Sequence, residues 1–343
     1  MARTRKFSAD RITAIARRSV PNVKSSASPI TLGRVLGVAA GVLAATALTN
    51  LVLAREAERS HPSEGKFITI AGVRLHYIER GTGPVIVLLH GNGAMAGDFV
   101  LSGLFDLLAT DYRVIAFDRP GFGYSDRPRR RIWTADAQAA IFDEALLRLE
   151  VPRAVVVGHS WGTLVALALA LRDPVRTAGL VLLSGYYYPS VRADVALLSW
   201  PAIPVLGDLL RYTISPIVGR LMAPMVYRKL FAPAPVSTRF ENEFPLELAV
   251  RPSQIRASAA ETALMIPGAA SLADHYPELS IPIAIMAGRG DKIVSSERQS
   301  GRLSAALPQT MLHDVPDAGH MLHHIVPEEV AAVIRETARA ALS

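Results

Sequence analysis

The sequence predicts an α/β fold with a helical cap inserted late in the sheet and an apolar helix ahead of it, and three observations carry that prediction. Short strand-type apolar runs alternate with helix-type stretches between Lys66 and Leu342, the pattern of strands joined by crossover helices. The segment from Gly185 to about Ser280 separates two such strands and is far longer than a connecting loop. Val35 to Ala54 is a run of twenty residues without a charge. Half of the 343 residues are apolar, enough to build one large domain of this kind rather than several small ones.

Residues 1–34 form a basic arm. Arg3, Arg5, Lys6, Arg11, Arg17, Arg18, Lys24 and Arg34 face a single acid, Asp10, so this arm holds the whole formal charge of +7. The remaining residues balance, with 29 basic and 29 acidic side chains. The basic character therefore does not predict nucleic-acid binding by the body of the chain, and the short run Arg127 to Arg131 reads as a solvated loop. A helix over residues 35–54 would span roughly 30 Å, the hydrocarbon thickness of a bilayer. We expect a single membrane anchor there, with the lipid bilayer as its partner. A cleaved secretory signal and an organelle transit peptide are the rival readings. With the richer Lys and Arg content before the span, the arm is expected on the cytoplasmic side. In a bacterium this places the rest of the chain in the periplasm, tethered to the inner membrane. Residues 55–65 are read as a linker. The chain has no cysteine, which excludes disulfides and thiolate zinc sites, and no histidine stands in metal-ligand spacing with carboxylates, so neither metal nor cofactor is expected.

Residues 66–184 and 281–343 are read as the core. Val85 to Leu89 runs into His90-Gly91-Asn92-Gly93-Ala94, and Arg113 to Phe117 runs into Asp118-Arg119-Pro120-Gly121-Phe122-Gly123-Tyr124-Ser125. The most informative stretch follows. Ala154 to Val157 is a strand-type run, Leu164 to Leu171 is helix-type, and between them stands Gly158-His159-Ser160-Trp161-Gly162. A serine in that strand-to-helix turn projects its Oγ clear of the sheet, and the flanking glycines avoid Cβ collisions with neighbouring backbone. Such a serine needs a base and an orienting acid, expected in the order Ser, acid, His. The run Ile281 to Ala287 ends in Gly288-Arg289-Gly290-Asp291, which offers Asp291 as the acid, and Thr310 to Val315 ends in Pro316-Asp317-Ala318-Gly319-His320, which offers His320 as the base. Asp314 and Asp317 compete as the acid and His313, His323 and His324 as the base. The chemistry also needs fixed donors for a developing oxyanion. The backbone N–H groups of Trp161 and Asn92 are the candidates.

With those segments assembled, Lys66 to Leu342 resembles the α/β-hydrolase superfamily, in the capped group that includes serine esterases, non-haem perhydrolases, haloalkane dehalogenases and epoxide hydrolases. The resemblance implies a mostly parallel eight-stranded sheet flanked by helices, with residues 185–280 as the cap. It also implies a discriminator. The dehalogenases and epoxide hydrolases of the group carry an aspartate at the elbow that attacks carbon, and a tryptophan beside it in the dehalogenases helps hold halide. Here Trp161 is present but the elbow residue is Ser160, which implies an acyl-enzyme and hydrolysis of an ester, thioester or amide. Perhydrolysis or carbon–carbon hydrolysis by the same serine, and a non-catalytic ligand-binding role, are the alternatives. The cap is apolar and aromatic, with Tyr186, Tyr187, Tyr188, Trp200, Tyr212, Met222, Met225, Tyr227 and Phe231. A small, largely apolar ester is therefore the expected substrate, with Trp161, Tyr186 and Tyr187 expected to line its pocket.

Overall fold

The computed structural model describes residues 32–342. The basic arm, apart from Leu32, Gly33 and Arg34, lies outside the described residues. Strands β1 (Lys66–Ile70), β2 (Val73–Arg80), β3 (Val85–Leu89), β4 (Arg113–Phe117), β5 (Ala154–His159), β6 (Thr177–Leu183), β7 (Ile283–Gly288) and β8 (Thr310–Val315) form one sheet in the order β1-β2-β4-β3-β5-β6-β7-β8. Only β2 runs antiparallel to its neighbours; from β4 to β8 the strands are parallel. The central strands are buried along their whole length, which is why they read in the sequence as continuous apolar runs rather than as alternation.

Helices Ala135–Arg148 and Gly162–Arg172 cover one face of the sheet and Pro327–Leu342 the other. In the helix Pro327–Leu342, Val330, Ala331, Val333, Ile334, Thr337, Ala338 and Ala341 are buried, a helical stripe that seats it on the sheet. Parallel strands all end at one edge, so the loops after β3, β4, β5, β6, β7 and β8 gather there, where ligand sites of such sheets form. Between β6 and β7 the chain is helical throughout its regular structure, from Ala193–Leu198 to Pro252–Ala273 and the short turn Tyr276–Glu278.

The apolar helix is longer than the uncharged run, extending over Leu32–Ser60. Residues 55–60, read as linker, are helical, and the linker shortens accordingly. Charge ends a membrane-type stretch but not a helix: Glu56 pairs with Arg59 one turn on, Ser60 Oγ donates to the Glu56 carbonyl at 2.9 Å, and Ala57 is buried against Met95 and Leu248. From Leu43 onward the chain belongs to one compact unit. Within it Asn50 is buried, its Nδ2 donating to the carbonyls of Tyr212 and Thr213 at 3.0 Å each.

Candidate active site

Ser160 occupies the turn between β5 and the helix Gly162–Arg172 with φ +50°. A non-glycine residue in that region costs on the order of 1–3 kcal/mol and persists only where its surroundings impose it. The surroundings do so here. Ser160 N–H donates to the Leu183 carbonyl at 2.9 Å, and the Ser160 carbonyl accepts from Thr163 N–H at 3.0 Å and Thr163 Oγ1 at 2.6 Å. The glycines have the steric role their spacing suggested. A Cβ at Gly158 would lie 2.7 Å from the Gly162 carbonyl oxygen, and one at Gly162 would overlap the Leu89 carbonyl.

His320 Nε2 lies 2.9 Å from Ser160 Oγ, and His320 Nδ1 lies 2.7 Å from Asp291 Oδ2. The imidazole and the carboxylate are both buried. Because a carboxylate can only accept, His320 donates from Nδ1, which leaves Nε2 as the acceptor for the serine hydroxyl. The other oxygen of Asp291 is also occupied, accepting from the backbone N–H of Ile293 at 2.7 Å and of Val294 at 3.0 Å. Asp291 is thus held by its own turn at the end of β7. The competitors lie elsewhere: Asp314 is exposed and paired with Arg289 at 2.6 Å, Asp317 sits in a turn with φ +55°, and His313 lies on β8. His323 and His324 donate to the two oxygens of the buried Asp98, each at 2.9 Å.

That cluster is one the spacing in the sequence could not reveal, since Asp98 is more than two hundred residues away from the two histidines. Among the described residues it is the group with ligand atoms close enough together to hold a metal. The sequence shows no such pairing, and the fold creates one. Burial would raise the Asp98 carboxyl, but the imidazoles of His324 and His323 outweigh it and hold the group well below the usual carboxylate range. Both Asp98 oxygens are engaged by the two imidazoles, while His323 Nδ1 is buried without a hydrogen-bond partner.

His159, the variable position of the elbow, is a further residue the sequence left unassigned. Burial first, and then the neighbouring His323 and His320, push its pKa well below the ordinary value, so it is neutral. Its Nε2 lies 3.0 Å from the His320 carbonyl oxygen, and therefore carries the proton and donates. The residue next to the serine thus fixes the backbone of His320.

The loop after β3 crosses close to the elbow. A Cβ at Gly91 would lie 3.0 Å from His159 Nδ1 and 3.1 Å from Ser160 Cβ. Asn92 Nδ2 donates to the Ser258 carbonyl at 3.2 Å and to Thr262 Oγ1 at 3.1 Å, which pins the loop to the cap helix Pro252–Ala273. Among the described residues the backbone N–H groups of Asn92 and Trp161 have no backbone acceptor outside regular helix and strand bonding. His90 is structural. It accepts from Arg119 N–H at Nε2, its Nδ1 meets the Gly91 carbonyl at 2.7 Å, and burial followed by the Arg119 charge lowers its pKa to about 3.

Trp161 is nearly inaccessible, and its indole N–H donates to the Glu261 carbonyl at 3.0 Å. That donor is engaged inside the protein. Glu261 itself is buried with Arg119 at 2.6 Å and accepts from Gln138 Nε2 at 2.9 Å. The expected pocket tyrosines are taken up by the core. Tyr187 is fully buried, its N–H and that of Tyr188 donate to Gln299 Oε1 at 2.7 and 2.8 Å, and its carbonyl accepts from Tyr276. Tyr186 is also buried, with its hydroxyl 3.1 Å from Ser190 Oγ. The reason is positional: they directly follow β6, where apolar rings close the sheet's end before the cap begins.

Comparison with known proteins agrees with this architecture. The family described as "alpha/beta hydrolase fold" matches residues 84–325. Haloalkane dehalogenase 2 of Mycobacterium tuberculosis is 28% identical over 293 residues, covering 80% of this chain and 95% of that one. The 2-hydroxymuconate semialdehyde hydrolase of Pseudomonas sp. (strain CF600) is 36% identical over 141 residues, covering 39% of this chain and 48% of that one. Among solved structures, a thermophilic esterase from Thermogutta terrifontis superposes with a TM-score of 0.66 at 24% identity, covering 82% of this chain and all of that one.

Proposed function

This chain belongs to the α/β-hydrolase fold family, and from that premise we propose that it is a membrane-anchored serine hydrolase cleaving a small, largely apolar ester through an acyl-enzyme. The observation that carries the reading is the unbroken chain of contacts from Ser160 Oγ to His320 at 2.9 Å and from His320 to Asp291 at 2.7 Å. In this mechanism Ser160 Oγ attacks the substrate carbonyl while His320 Nε2 takes its proton. Asp291 stabilises the imidazolium that forms. The backbone N–H groups of Trp161 and Asn92 receive the oxyanion, and they are positioned before the reaction starts. His320 then returns the proton to the leaving alcohol. A water molecule, activated by the same imidazole, releases the acid and restores Ser160.

Two features support an ester over a haloalkane. A serine alkoxide generates an acyl intermediate, and the indole N–H of Trp161 is committed to the Glu261 carbonyl rather than open to a halide. With p-nitrophenyl esters of increasing acyl length, kcat/KM is expected to rise while the pocket has room, each buried methylene contributing about 0.8 kcal/mol. No dependence on acyl length, or halide release from 1-haloalkanes outpacing ester cleavage, contradicts this. A second reading, carbon–carbon hydrolysis by the same serine, is favoured by the partial similarity to the Pseudomonas hydrolase. Assay of 2-hydroxymuconate semialdehyde, the compound in that relative's name, beside the esters separates the two.

The anchor reading rests on the helix Leu32–Ser60, long and apolar enough to cross a bilayer and mostly exposed along its apolar stretch. The cap supports it too, because the segments around Tyr212 and Thr213 that receive Asn50 adjoin helices exposing Leu198, Trp200, Leu209, Leu221 and Met225. By the charge rule the arm is cytoplasmic and the hydrolase lies across the membrane. In spheroplasts of a bacterial host, added protease should digest the hydrolase domain while a cytoplasmic marker survives. Protection of the domain until the membrane is lysed reverses the topology.

A further inference from the structure

Away from Ser160, a cleft of about 460 Å³ lies between the loop after β4, the start of the helix Pro252–Ala273 and the end of the helix Leu32–Ser60. None of Ser160, His320 and Asp291 lines it. Its walls carry Arg74, Arg127, Arg129, Arg211, Arg251 and Arg256 against two carboxylates, Glu58 and Asp126. Six guanidinium groups sharing one cleft is the unusual feature, and their partners do not balance them.

Arg251 pairs with Glu58 at 2.7 Å, while Arg129 and Arg211 both draw on Asp208, at 2.9 and 2.7 Å. Arg127 stands 3.6 Å from Glu261, a carboxylate that Arg119 already holds at 2.6 Å. Among the described residues, Arg74 and Arg256 have no carboxylate within ion-pair distance, and Asp126 pairs with no cation. Burial, followed by the nearby Arg129 and Arg211, depresses the Arg256 pKa, and burial with the neighbouring Arg119 lowers that of Arg127 to about 10. The side chains of Arg127, Arg211 and Arg251 are only 6, 4 and 5% exposed. Those three also donate to the backbone carbonyls of Pro120, Pro252 and Gly123, so the exposed Arg74 and the half-buried Arg256 are the cations left to meet an anion that accepts several N–H groups at once. Arginine's planar fork suits the tetrahedral oxygens of phosphate.

We propose that this cleft is a binding site for a phosphate-type oxyanion, the chemistry shared by inorganic phosphate and a phospholipid headgroup. Its place in the chain makes the second source reachable. Glu58 lies four residues beyond Ala54, about 6 Å along a helix, and Tyr212, which also lines the cleft, supplies a carbonyl that holds Asn50. On the anchor reading the cleft sits where the helix leaves the hydrocarbon. The site itself requires neither that reading nor the activity of Ser160.

The test uses the full chain in a neutral detergent at low ionic strength, titrated calorimetrically with inorganic phosphate and, separately, with dihexanoyl-phosphatidylglycerol below its micellar concentration. Saturable binding is expected, weakening as salt rises. The double variant Arg74→Gln/Arg256→Gln should lower the affinity tenfold or more. Arg148→Gln, at an exposed arginine paired with Glu144, should not change it. Binding of phosphate alone identifies a soluble anion as the ligand class, and binding of the phosphatidylglycerol without phosphate identifies the headgroup. Retained Ser160 labelling and an unchanged Tm in the double variant establish that its fold is intact. No saturable binding of either probe, or binding that a folded double variant keeps unchanged, overturns the proposal.

Discussion

Replacing Ser160 with alanine lowers ester turnover by about 10⁶, because the acyl intermediate has no other oxygen to form on and the loss resembles that of other triad serines. Fold stability is expected to change little. The φ of +50° at this position is imposed by the Leu183 and Thr163 hydrogen bonds, and alanine bears the same backbone cost as serine. The residue of activity, on the order of 10³ to 10⁴ over water, would come from binding and the oxyanion donors. Steady-state kinetics on a p-nitrophenyl ester check this, and a variant within tenfold of the parent enzyme removes Ser160 from the mechanism.

Asp291→Asn is expected to lower kcat by about 10⁴, and the geometry says why. Asp291 Oδ1 accepts from Ile293 and Val294 N–H groups. The asparagine keeps those bonds with its single oxygen, which turns its NH₂ toward His320 Nδ1. The imidazole must then accept at Nδ1 and carry its proton on Nε2, where it can no longer accept from Ser160. Asp317→Asn provides the contrast. Asp317 lies in the left-handed region with φ +55°, which asparagine adopts readily, so both kcat and Tm should hold within about twofold and a degree or two. A larger loss at 317 than at 291 contradicts the assignment.

Much of this arrangement was legible because Ser160 and Asp291 follow buried strands, and all three of Ser160, Asp291 and His320 stand close to glycine. Buried parallel strands leave continuous apolar runs, and β3 and β4 begin and end where those runs do; β8, at the sheet edge, is mostly exposed and mixed in polarity. The glycines beside Ser160, Asp291 and His320 are demanded by close backbone approach: a Cβ at Gly319 would meet the Phe231 carbonyl at 2.6 Å. Contacts between distant segments leave no such local mark. His159 occupies a position that the elbow pattern leaves free, yet it holds the His320 carbonyl from 161 residues away. The cleft arginines are scattered from Arg74 to Arg256 and look individually like solvated surface. The aromatic cap composition pointed to Tyr186 and Tyr187 as pocket residues, whereas both rings pack into the core, because an apolar ring packs a core and lines a pocket with the same side chain.

The central claim is that Ser160 is the covalent nucleophile, and labelling the purified full chain with a fluorophosphonate tests it most directly. Digestion and mass spectrometry should find the phosphonyl group on Ser160, with labelling abolished in Ser160→Ala and greatly slowed in Asp291→Asn. Modification of a different serine, or an unlabelled Ser160 in protein that still cleaves esters, would contradict the account.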